Sequence, residues 1–194
     1  VNDAPIVDAG PDQEGAEGAD LAFTGAYTDP EGPADAIEWN FGDGATMTAT
    51  LTPTHVYADE GVYTVTLTVT DDEGGVGGDT LLVTIANVAP ELAPLPDQTV
   101  ELGQAVTLAG SFADPGWLDA HQIVIDWGDG MTETHDLAAG LYDFTTAYTY
   151  AAVGVYTATV TVDDYDGGVD VEALAVTVAA PQELFRIYLP VLHK

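Results

Sequence analysis

The side chains best able to do chemistry in this chain are its carboxylates: 33 Asp and Glu stand against two Lys or Arg in 194 residues, a formal charge of −31. Asp outnumbers Glu by 22 to 11. Asp is the short carboxylate of turns and calcium loops, so hard cations are the ligands this composition is equipped to meet. A solvated acidic surface accounts for the same charge with no ligand at all. Other chemistries lack their parts. Ser occurs once, at Ser111 in the apolar run TLAGSF, and Cys is absent, which leaves neither a thiol nucleophile, nor a disulfide framework, nor a thiolate metal site. His55, His121, His135 and His193 show no ligand spacing of the HExxH kind. Catalysis is therefore not expected. The acidic balance argues against nucleic acid and anionic membranes as partners, since their phosphates would be repelled and no basic patch exists to displace counterions. No run of 18 apolar residues occurs, so no membrane span is expected.

The elements that position these acids are written twice. Asn2, Pro5, Asp12, Gln13, Asp29 and Pro30 recur 85 residues later as Asn87, Pro90, Asp97, Gln98, Asp114 and Pro115. WNFGDG at 39–44 returns as IDWGDG at 125–130, and YADEGVYTVTLTVTDDEGG at 57–75 returns as YAAVGVYTATVTVDDYDGG at 150–168. The growing offset measures two insertions in the second copy, near WLDAHQ and near DLAAGLYDF, where turn residues tolerate extra length. Two domains are expected, 1–86 and 87–180, followed by a connector and tail at 181–194. The five residues ANVAP between them are too few for a flexible linker, so the domains should sit end to end with limited freedom.

Within each copy the hydrophobic period is two. Tyr63, Val65, Leu67 and Val69 alternate with Val62, Thr64, Thr66, Thr68 and Thr70, and Tyr156, Ala158, Val160 and Val162 alternate with Thr157, Thr159 and Thr161, the pattern of half-buried strands. The pattern predicts strands near 5–9, 20–26, 36–41, 45–51, 61–70 and 78–86, and a comparable set from 98 to 179. Helical periodicity is nearly absent, and Gly, Pro and Asp punctuate the chain at sandwich spacing. The fold class is all-β: two tandem immunoglobulin-like sandwiches and a strand-like C-terminal tail. Trp39 and Trp127 read as core anchors among apolar neighbours. Trp117, in the loop ADPGWLDAHQ, reads equally as a surface contact or a core plug. The two GDG turns have neither the helix nor the lysine of a phosphate cradle.

Both copies resemble the polycystic kidney disease (PKD) repeat, an immunoglobulin-like sandwich common in extracellular proteins, through W-x-F-G-D-G followed by H-x-Y-x-x-x-G-x-Y-x-V-x-L-x-V-x-D. The resemblance covers nearly everything except the tail. The second copy carries Tyr148 where the first has His55, and Trp127 where the first has Phe41. Some members of that family bind calcium at the domain base. The resemblance implies a first-domain calcium candidate at Asn2, Asp3, Asp29, Glu31, Asp71 and Asp72, with Asn87, Asp114 and Asp164 as a weaker second site, because Pro-Gly-Trp follows Asp114 where the first copy has a second loop acid. Asx turns with solvated ends are the alternative reading of the same residues.

The tail FRIYLPVLHK holds both basic side chains, Arg186 and Lys194. Phe185, Ile187, Leu189 and Val191 alternate with Arg186, Tyr188 and Pro190, as in a strand with one apolar edge. One functional expectation is an extracellular or cell-surface structural subunit that self-associates head to tail, residues 185–194 entering a neighbour's acidic sheet edge as a donor strand. The other is a spacer or adhesion module of a larger surface protein or secreted enzyme, binding glycans or other surface proteins through loops such as that of Trp117, with the tail as a sorting or anchoring signal. The opening VNDAPIVDAG has no basic start and no apolar run, so a processed chain or an excised segment is expected.

Overall fold

The computed structural model describes residues 2–181. Every regular element among them is a strand, and none is a helix long and apolar enough to cross a membrane. In the first domain a five-stranded sheet runs in the order Gln13–Ala16, Val76–Ala86, Gly61–Asp71, Ala34–Asn40, Thr46–Thr48. The facing layer is two antiparallel pairs, Ile6–Asp8 with Ala26–Thr28 and Asp20–Ala22 with Thr54–Val56. The second domain repeats the plan, with a five-stranded sheet ordered Gln98–Glu101, Val169–Ala179, Gly154–Asp163, His121–Asp126, Thr132–Leu137 facing Glu91–Leu92, Val106–Ala113 and Asp143–Tyr148.

The alternation read from the sequence sorts the side chains as expected. Val65, Leu67 and Val69 are fully buried, while Val62 on the opposite phase is exposed. Each domain closes around its own core, one holding Phe23, Trp39, Phe41 and Tyr57 and the other Leu108, Ile125, Trp127 and Tyr150. The Trp39 indole is enclosed and donates to the Thr50 carbonyl at 3.1 Å. The exchange of Phe41 for Trp127 is conservative in three dimensions. The Tyr57 hydroxyl donates to the Phe41 carbonyl at 3.0 Å and the Tyr150 hydroxyl to the Trp127 carbonyl at 2.9 Å. His55 stacks on Phe41 and Tyr148 stacks on Trp127.

Those stacked residues also brace the Gly-Asp-Gly turns. Asp43 accepts from the Ala45 amide and lies 2.6 Å from His55 Nε2, and Asp129 accepts from the Met131 amide and the Tyr148 hydroxyl. Burial by itself would raise the Asp43 carboxyl, but the Ala45 amide and His55 outweigh it and hold the group below its ordinary value. A depressed carboxyl contributes stability that is present above its unfolded value near 3.8 and is lost as pH falls through the lower folded value. The first domain should therefore lose more stability between pH 6 and pH 3 than the same domain carrying Asp43→Asn, as denaturant midpoints at the two pH values will show.

The structure corrects several strand bounds. The threonine run at 45–51 is a strand only over Thr46–Thr48, because Ala49 turns to φ 65° and its amide donates to the Ile37 carbonyl. The expected strand at 20–26 is two, Asp20–Ala22 and Ala26–Thr28, with the Phe23 and Gly25 amides bonded to the Pro53 and Leu51 carbonyls instead of a ladder. Gln13–Ala16 and Thr54–Val56 were not legible as strands. Gln13–Ala16 carries no apolar alternation because its backbone, paired parallel with Val83–Ala86, makes the sheet edge.

Candidate functional site

The acids expected at the two domain bases are drawn together in part. In the first domain Asp71 is buried, and its Oδ1 accepts from Asn2 Nδ2 and from the Glu73 and Gly75 amides. Asp29 Oδ1 accepts from the Glu31 amide, Glu31 accepts from the Asp3 amide, and Asp72 packs where a Cβ on Gly32 would lie. Burial would raise the Asp71 carboxyl, yet the Gly75 amide, Asn2 and the Glu73 amide outweigh it and lower the group. The Oδ2 atoms of Asp29 and Asp71 are buried without partners among the described residues. In the second domain Asp164 is enclosed: its Oδ1 accepts from the Asp166 and Gly168 amides, and its Oδ2 from Asn87 Nδ2. Asp114 accepts from the Gly116 amide and pairs with buried His121 at 2.9 Å. These carboxylates act mainly as acceptors for amides that turn the chain at a strand end.

A second group of acids, not singled out by the sequence motifs, lies at the junction of the domains. Among the described residues, Glu17, Asp59, Glu60 and Asp119 bring one carboxylate oxygen each to within 4.8 Å of one another. Local structure aims each of them. Glu17 follows the parallel edge strand, its amide held by the Ala86 carbonyl and its Oε1 accepting from the Val88 amide at 2.7 Å. Its neighbour Gly18, at φ 70°, packs so closely on Pro115 that a Cβ there would overlap the proline. Asp59 and Glu60 form the turn before the long strand, pinned by the Tyr63 hydroxyl on the Asp59 carbonyl at 2.9 Å. Asp119 comes from the first of the two insertions in the second domain, its amide bonded to the Gly116 carbonyl. A Cβ on Gly116 would overlap Asp119 Oδ2 and stand 2.8 Å from Glu17 Cδ. Three acids thus belong to the first domain and one to the second.

The electrostatics of this group are unfavourable as they stand. Carboxylates at such separations repel by a few kcal/mol per pair at an effective dielectric of about 20. Burial, then Glu17 and Asp114, push the Asp119 carboxyl up to about 7. Burial also raises Glu17, against the pull of the Val88 amide, and the Asp59 carboxyl beside it raises Glu60. No Lys or Arg exists before Arg186, so no such side chain among the described residues neutralises them.

Trp117 and Leu118, on the same inserted loop, are 46% and 58% exposed, so Trp117 is not a core plug. Phe185, Arg186, Ile187, Tyr188, Leu189 and Val191 lie outside the described residues. The sequence motifs passed over Asp119 because Pro-Gly-Trp follows Asp114, yet an acid returns at the end of the same loop. No sequence signal marks it, because Asp119 lies far from the ANVAP junction along the chain and meets the other acids only when the domains dock.

Two immunoglobulin-like sandwiches joined end to end through a short, hydrogen-bonded junction define a tandem β-sandwich module. The family pattern of the PKD domain matches residues 2–85 and again 87–178, and the chain belongs to that family. It is 43% identical over 74 residues to a microbial collagenase of Vibrio alginolyticus, a match covering 38% of this chain and 9% of the collagenase. It is 35% identical over 99 residues to the pre-pro-metalloprotease PrtV of Vibrio cholerae, covering 50% of this chain and 10% of PrtV. Among solved structures it is similar to the PKD1 domain of Vibrio cholerae PrtV, with 31% identity, TM-score 0.36, and coverage of 42% of this chain and 96% of that one. The chain spans about a tenth or less of the length of the curated relatives it matches.

Proposed function

We propose that this tandem pair is a non-catalytic spacer within a larger secreted protein, holding what it connects at a fixed distance and orientation. The observation that carries the reading is the junction: the linker amide of Val88 bonds the Glu17 carboxylate of the first domain, and Gly18 is packed on Pro115 of the second. With Val88 bound to the first domain and Asn87 donating to Asp164 of the second, so short a linker has few conformations left to it. The relatives, named as a collagenase and a metalloprotease, support an extracellular setting in which such a module accompanies a larger chain. Small-angle scattering of the full chain tests the reading. One fixed arrangement of the two sandwiches should account for the profile, and a profile that demands a broad ensemble of interdomain angles would sink it.

A second reading, adhesion, is favoured by the adjacent exposed Trp117 and Leu118, an apolar pair of the kind that contacts sugar rings or protein surfaces. Glycan-array binding that disappears on Trp117→Ala supports it; an array with no signal from the parent chain rejects it for glycans.

A further inference from the structure

We propose that Glu17, Asp59, Glu60 and Asp119 form a calcium site that bridges the two domains and fixes their relative orientation, an inference that rests on the spacer reading and supplies its mechanism. The donor set is all carboxylate oxygen, the chemistry of a hard divalent cation. The spacing fits as well: ligands on opposite sides of a cation with bonds of about 2.4 Å stand about 4.8 Å apart, and the four oxygens all lie within 4.8 Å of one another.

The independent observation is the state of the individual oxygens. Glu17 is 1% exposed and Asp119 4% exposed, yet among the described residues Glu17 Oε2 and Asp119 Oδ2 have no hydrogen-bond partner, and Glu60 Oε2 has none either. Buried polar atoms are almost always partnered, and a carboxylate oxygen left bare in a protein interior is costly. Here the bare oxygens converge: Asp119 Oδ2 and the Glu17 carboxyl flank the same bare face of Gly116, where a Cβ would fill the gap between them. A shared cation satisfies these acceptors together. The nearby second-domain base differs in this respect. Asp164 and Asp114 at the second-domain base have both oxygens occupied by amides, Asn87 or His121, whereas Glu17, Glu60 and Asp119 each keep one bare, as Asp29 and Asp71 do at the first-domain base.

The assignment has a structural consequence. Three ligands sit on elements of the first domain and the fourth on the inserted loop of the second, so the full set exists only when the domains are docked. A cation that needs both halves binds the docked arrangement alone and shifts the population toward it. The loop that carries Asp119 is one of the two insertions that distinguish the second copy from the first, which gives that extra length a use.

Calcium titration calorimetry on the full chain, first stripped with chelator, tests the site, with Glu17→Gln, Asp119→Asn and the distant surface variant Glu38→Gln compared at equal ionic strength. The parent and Glu38→Gln should bind alike, and Glu17→Gln and Asp119→Asn should each weaken the junction event at least tenfold. Thermal scans of the same samples separate a ligand from a merely structural residue. In chelator, Asp119→Asn should melt no lower than the parent, because it removes repulsion, while the calcium-induced rise of the parent should be absent from it. Unchanged binding in both junction variants would place any calcium elsewhere, at the Asp71 base included, and overturn the site. No calcium uptake by the parent at millimolar concentration would overturn it too. Either failure, alongside scattering that still fits one arrangement, would leave the spacer reading standing on protein contacts alone.

Discussion

Trp39→Ala is expected to destabilise the first domain by about 3–5 kcal/mol, the range for removing a large aromatic from a packed core, while leaving the second domain's unfolding where it was. The indole is fully buried, packs 5.6 Å from the Phe23 ring and bonds the Thr50 carbonyl. Its loss opens a cavity and orphans that carbonyl on the short connection after Thr46–Thr48. A domain of this size has about 5–15 kcal/mol to lose, so the variant's first domain would be marginal. The two cores share no residues, which makes the expectation specific. Guanidinium unfolding followed by amide exchange should show the residues around Phe23 and Tyr57 exchanging early and those around Ile125 and Tyr150 unaffected. A uniform loss in both domains would mean that the cores are coupled through the junction more tightly than their packing implies.

Gly128→Ala is the second substitution with a large expected effect, a loss of about 3 kcal/mol in the second domain. Gly128 sits at φ 76°, where a side chain is strained, and a Cβ there would overlap the Thr157 carbonyl of the neighbouring long strand. Gly130, two residues on, also has positive φ but meets nothing. Gly130→Ala should therefore cost only the conformational strain, about 1 kcal/mol. The difference between the two midpoints in urea isolates the close approach of the turn to the strand. Equal costs would show that the turn can lift away from Thr157.

The two-sandwich architecture was legible because strands with one buried face must alternate, and Gly61–Asp71 and Gly154–Asp163 do so over their whole length. Strands without a two-faced environment were not. Gln13–Ala16 is held by backbone pairing at an edge, so QEGA carries no hydrophobic signature, and the threonines after Thr48 keep their phase in sequence while Ala49 breaks the ladder in space. The candidate site divides in the same way. Asn2 with Asp71 and Asn87 with Asp164 were legible because each repeat carries them in register. Glu17, Asp59, Glu60 and Asp119 were not, since their meeting depends on how one copy docks on the next. Gly18 and Pro115 read as ordinary loop residues until the docking places them in contact. That docking also gives the acidity a local meaning: most of the 33 carboxylates remain surface charge, but those at the junction, Glu17 and Asp119 buried among them, crowd one another with no Lys or Arg among the described residues to neutralise them.

The central claim, a fixed junction between the domains, is tested most directly by a distance distribution between nitroxides on Thr48→Cys and Thr134→Cys in the full chain. Both threonines are exposed on outer strands of different domains, and the absence of native cysteine makes the labels unique. Pulsed electron resonance in calcium should give one narrow distance, broadening in chelator as the repelling carboxylates loosen the docked state. A distribution that is broad in calcium, spread over the reach of a free hinge at ANVAP, would contradict the account.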